Sequence, residues 1–134
     1  MEISHDRPLR VTILSAFVLC ITAWNIMRVV SALANWNILR EFGAAPAYIM
    51  FSGLAWSAAG LWFSYITWKG LKTAWPGGLA LSGLYFTWYW VDRLAIQPSP
   101  APNTLFSAVV STVLLIYVII SLIASKAFFN KEQG

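Results

Sequence analysis

Charge is scarce in this chain. Asp, Glu, Lys and Arg make up only 10% of its 134 residues, against roughly a quarter in an average soluble domain. None occurs between Arg10 and Arg28, from Phe42 to Trp68, from Thr73 to Val91 or from Leu94 to Ser125. Those gaps exclude a soluble enzyme, a nucleic-acid-binding module, a disulfide-stapled secreted domain and a disordered tail. Cys20 is the single cysteine, so no internal disulfide, CxxC redox pair or cysteine-rich metal site is available. Phe17, Val18 and Leu19 before it also lack the small residue of a lipoprotein processing site. The single histidine, His5, lies ahead of every apolar stretch, so no span offers an axial haem ligand and no paired-histidine site can form. No Gly-rich phosphate loop and no Ser/His/Asp set is present. The expectation is a non-enzyme with no catalytic residue, metal or cofactor.

What is abundant is apolar and aromatic. Hydrophobic residues reach 59%, aromatic residues 16%, and tryptophan alone occurs eight times; the mean hydropathy is +0.67. Each uncharged stretch is long enough for a membrane helix of about 17 to 25 residues. The chain therefore reads as one membrane domain over 1–134, an all-α integral membrane four-helix bundle with spans at about 11–30, 46–68, 75–94 and 104–129. Pro8 and Pro46 suit the first turns of spans one and two, where a missing N–H is harmless. From 31 to 43, Leu33, Trp36 and Leu39 recur at helical spacing among Asn35, Asn37, Arg40 and Glu41, and Gly43 can close the turn. This segment is expected as an interfacial helix between spans one and two, or as an extension of span one. QPSPAPN, 97–103, is too proline-rich to be regular; Asn103 can cap span four, and the tail KEQG is expected to fray.

The net charge of +4 reads as topogenic, not as a nucleic-acid footprint. Placing the N-terminus, the Lys69 loop and the C-terminus on one side gathers Arg7, Arg10, Lys69, Lys72, Lys126 and Lys131 there, against Arg28, Arg40 and Arg93 on the other. That asymmetry is expected to put both termini of a multi-pass protein in the cytoplasm. An alternative makes span one a cleaved signal peptide with Ala32, Leu33 and Ala34 as its processing site. Its apolar region is longer than an ordinary signal core, and Arg28 intervenes.

Helix association in lipid depends on close packing, which makes stripes of small residues informative. Span two carries Gly53, Ser57, Gly60 and Ser64 on one face, span four Ser107, Ser111, Ser121 and Ser125, and span three Gly78, Ser82, Tyr85, Tyr89 and Asp92. The small members read as packing residues. The aromatics of span three read as a belt at the membrane boundary, or as the lining of a pocket. Val11 to Arg28 and Trp75 to Asp92 cover equal numbers of positions on helices running the same way, so Arg28 and Asp92 should lie at one depth. An ion pair is expected there, with Asn25 and Tyr89 adding hydrogen bonds and Trp88 alongside, either as a structural clasp or as a binding site. No acidic residue sits at mid-membrane, which separates the chain from the small multidrug-resistance transporters that share its length and layout.

Arg7-Pro8-Leu9, the Asn25 to Arg28 pair before a Trp36 segment, Ser52-Gly53-Leu54 and Tyr89-Trp90-Val91-Asp92-Arg93-Leu94 resemble small four-span bacterial membrane proteins. That resemblance implies the architecture and a bacterial inner (cytoplasmic) membrane, and it carries no activity. The leading expectation is a non-catalytic accessory or structural subunit of a membrane assembly, contacting the lipid bilayer and other membrane proteins or a second copy of itself, but no nucleic acid. The alternative is a homo-oligomeric ligand-binding or transport protein. Its outward-facing site, at Asn25, Arg28, Trp88, Tyr89 and Asp92, would take an anionic or lipid-like ligand.

Overall fold

The computed structural model describes residues 7–97 and 102–131. His5, most of the proline-rich loop and the end of the tail lie outside the described residues. Every regular element among the described residues is helical: α1 (Leu9–Ala34), α2 (Trp36–Glu41), α3 (Pro46–Trp68), α4 (Ala74–Val91), a π-helical turn (Asp92–Ile96), α5 (Thr104–Ala124) and α6 (Lys126–Lys131). Three of these, α1, α3 and α5, are long and apolar enough to cross a membrane. α4 is set apart from them by its tryptophans and tyrosines, whose rings join an apolar body to a polar tip.

The boundaries refine the expected ones. α1 continues unbroken to Ala34, and the chain breaks at Asn35, with φ −114° and ψ 28°. Only the six residues of α2 remain of the expected interfacial segment. They end at Gly43, whose φ of 75° lets Gly43 N–H reach Arg40 O at 3.1 Å and Ala44 N–H reach Leu39 O at 2.9 Å. The same stop recurs after α3: Gly70 has φ 69°, with Gly70 N–H on Thr67 O at 3.1 Å and Leu71 N–H on Ile66 O at 3.0 Å. Pro46 occupies the first turn of α3 as expected, whereas Pro8 stands one step ahead of α1 and offers its carbonyl to Val11 N–H at 2.9 Å. Asn103 precedes α5, but its side chain makes no cap hydrogen bond; it takes a left-handed backbone conformation, φ 61°, which asparagine tolerates. Span four is interrupted at Ser125 and resumes as α6.

α1 and α3 form the most extensive helix pair, and α5 packs mainly on α4. The buried positions of α1, Val11, Leu14, Ser15, Val18, Thr22, Asn25 and Ala32, follow intervals of three and four and so make one stripe. Against it lies the small-residue stripe of α3. A methyl on Gly53 would stand 2.7 Å from Val29 Cγ2 and 3.0 Å from Asn25 O, and one on Gly60 would collide with Thr22 Oγ1. Ser57 is buried and donates to Gly53 O at 2.7 Å, and Ser64, two turns further along the same face, is buried as well. Gly78 of α4 does the same against Phe63, 2.6 Å, and Leu122, 2.8 Å. The expected packing residues therefore stand at helix contacts, except Ser82, which is half-buried and faces a cavity.

The core is concentrated at one end. Val11, Leu14 and Val18 of α1 meet Phe63 and Ile66 of α3, Ala74 of α4, Val118 and Leu122 of α5, and Phe129 of α6. Two tryptophans at this core end carry cations on their rings, Arg7 over Trp68 at 3.7 Å and Lys126 over Trp75 at 4.4 Å. Toward the far end, where α1 and α4 finish and α3 and α5 begin, the closely packed apolar core gives way to tryptophans, tyrosines and polar groups.

Candidate functional site

At the far end α1, α3 and α4 bring together a polar cluster. Asn25, fully buried on α1, donates from Nδ2 to Ile21 O at 2.9 Å and to the Tyr85 hydroxyl at 3.4 Å, while its Oδ1 receives no donor. Trp88 donates from Nε1 to the Tyr48 hydroxyl at 2.9 Å. That hydroxyl lies beside the Asp92 carboxylate and within electrostatic reach of Arg28. Tyr48 was not singled out from the sequence: it opens span two as one aromatic among many, and only the tertiary fold sets it against Trp88. Tyr85 was visible on the polar stripe of span three.

The expected ion pair does not form. Among the described residues no Arg28 nitrogen comes within 4.0 Å of an Asp92 oxygen. Arg28 instead lies with its guanidinium 4.9 Å from the centroid of the Trp88 ring and donates no hydrogen bond. The cause is the π-helical turn that begins at Asp92. It places Gln97 so that its backbone N–H reaches Asp92 O at 3.0 Å and its Nε2 reaches Asp92 Oδ2 at 3.1 Å. Asp92, 7% exposed, is thus satisfied from its own chain and from the Tyr48 side. Tyr89 does not serve Asp92 either; its hydroxyl accepts from Arg93 Nη1 at 3.4 Å, and Arg93 Nη2 ties the end of α4 to Pro102 O at 2.7 Å.

Beneath the cluster lies a cavity of about 430 Å³, to which all four long helices contribute. Its roof is aromatic: Trp56 and Tyr85 meet edge to face at 4.9 Å, and Trp88 closes a triangle with them at 5.4 and 5.5 Å. Phe86 also lines the cavity. The hydroxyls that reach its wall are largely spent on their own helices: Thr22 on Val18 O at 2.8 Å, Ser82 on Leu79 O at 3.1 Å and Ser111 on Ala108 O at 3.3 Å. The interior is therefore apolar in effect, although serines and a threonine line it. Its volume falls within the range of about 300 to 1,000 Å³ typical of small-molecule pockets.

Of the five expected site residues, Asn25, Arg28, Trp88 and Asp92 gather in one cluster, and Tyr89 turns to the cavity and to Arg93 instead. No family model, curated protein or solved structure matches the chain.

Proposed function

We propose that the chain is a four-span membrane protein, with both termini on the cytoplasmic side, that holds the apolar chain of a lipid-like molecule between its helices. The function is binding, not catalysis. The cavity carries this reading: its lining is almost wholly apolar, and the medium expected around the helices is itself made of hydrocarbon chains that fit a space of this size. The surface supports the same setting. Trp24, Met27, Phe51, Leu105, Phe106 and Ile120 are all more than half exposed, which an aqueous surface would not tolerate as contiguous patches. α4 qualifies as the fourth span because no charge falls between Thr73 and Val91, and its 18 residues extend about 27 Å at 1.5 Å per residue.

The alternative of an accessory subunit in a larger assembly draws on α5, whose Leu105, Val109, Val113, Ile116 and Ile120 form an unpartnered apolar face. That face is equally served by lipid, whereas the cavity offers a defined space for one chain.

Native mass spectrometry of the protein extracted in mild detergent tests the reading. The expected result is a chain that retains lipid. In Ala59→Trp, and independently in Ser111→Phe from the opposite wall, the retained lipid is lost while the protein stays folded. Undiminished retention in both variants overturns the proposal.

A further inference from the structure

A partly buried cation and a buried carboxylate on facing helices, more than 4.0 Å apart, make an unusual arrangement near a membrane boundary. Each charge is costly when desolvated, and direct pairing would relieve both. Here Trp88 and Tyr48 stand between them: Arg28 rests on the Trp88 ring, Trp88 donates to Tyr48, and the Tyr48 hydroxyl adjoins Asp92. The guanidinium N–H groups of Arg28 donate no hydrogen bond, and the Asp92 carboxylate, although it accepts from Gln97 on Oδ2 and is flanked by the Tyr48 hydroxyl, has no cation within 4.0 Å among the described residues.

We infer that this split pair, Arg28 and Asp92 separated by Trp88 and Tyr48, is a receptor for a zwitterionic headgroup, an ammonium joined to a phosphodiester. The phosphodiester takes the guanidinium, whose planar fork matches its oxygens. The ammonium takes the Asp92 side of the cluster, where the aromatic faces of Tyr48 and Trp88 also favour a cation. A purely anionic headgroup would satisfy Arg28 and be repelled by Asp92; a purely cationic one would meet the reverse. The inference rests on the reading that the cavity holds an apolar chain, because Tyr85 and Trp56, which roof the cavity, are the rings packed on Trp88.

The test is competition on the full chain in detergent, with phosphatidylethanolamine and phosphatidylglycerol of identical acyl chains offered in equal amounts and retained lipid read by native mass spectrometry. The wild type is expected to favour phosphatidylethanolamine by about tenfold, the effect of one charge-assisted interaction. Asp92→Asn leaves Arg28 as a lone cation, so the preference reverses toward phosphatidylglycerol. Arg28→Gln lowers retention of both, while Arg40→Gln, on an exposed residue of α2, keeps the wild-type preference. Equal retention by the wild type, or a preference for phosphatidylglycerol, overturns the inference without any variant, as does an Asp92→Asn protein that still favours phosphatidylethanolamine.

Soluble glycerophosphoethanolamine, titrated by calorimetry, separates the head site from the chain site. If it binds as tightly as the lipid, and binding is lost in both Arg28→Gln and Asp92→Asn, the headgroup inference stands and the cavity reading fails. If the lipid is retained without headgroup preference, the cavity reading stands and the headgroup inference fails.

Discussion

Gly60 and Gly83 show how a single residue type takes opposite roles in one fold. A methyl at Gly60 has nowhere to go but into Thr22, whereas at Gly83 it meets nothing within 4 Å. Gly60→Ala is expected to lose about 1 to 3 kcal/mol through overpacking of the α1–α3 seam. Gly83→Ala should be neutral or gain about 0.5 to 1 kcal/mol, because glycine is a poor helix interior residue. Chemical denaturation in detergent distinguishes them, and equal effects would mean that the seam is not closely packed. At the same scale, the departure of Arg28 from the expected ion pair comes from its neighbours. An aromatic face accepts the guanidinium, and Asp92 has a partner five residues further along its own chain.

The ends of the elements are set by backbone conformation more than by side-chain caps. α2 and α3 both stop at glycines with positive φ, Gly43 and Gly70. Gly70 is buried and immediately precedes the α3–α4 connection, so Gly70→Ala is expected to lower stability by about 1 kcal/mol. Thermal unfolding followed by circular dichroism checks it, and an unchanged midpoint would contradict the left-handed stop. Asn103, the one non-glycine with positive φ among the described residues, should accept glycine and resist alanine for the same reason. The π-helical turn after α4 matters most for the site, since it pairs Asp92 with Gln97 and aims Arg93 at Pro102. A single turn closed by a hydrogen bond from residue i+5 to residue i leaves no hydropathy signature, and nothing in Asp92-Arg93-Leu94-Ala95-Ile96 announced it.

Across the whole molecule, packing is uneven: a closed apolar core at one end, an open apolar cavity in the middle and far half, and a polar aromatic cluster at the far end. On the proposed reading, this gradient leaves room for a ligand without any loss of the core that holds the helices. It also makes membrane topology testable. With Cys20 replaced by alanine, cysteines introduced at Lys72 and at Asn103 should react with a membrane-impermeant maleimide from opposite faces. Labelling of both from one face would mean that α4 does not cross, and the four-span reading would fail.

The sequence by itself determined that the chain is helical and apolar, roughly where its helices run, and which faces carry small residues, because these follow from local composition and a period of 3.6. It also brought Arg28 and Asp92 to one depth by counting residues along parallel helices. Only the tertiary structure decided that they stay apart, that Tyr48 enters between them, and that α1, α3, α4 and α5 leave a cavity where close contact was equally compatible with their small residues. Those outcomes depend on side chains from helices distant in sequence competing for the same space, and no single-helix pattern records which of them wins.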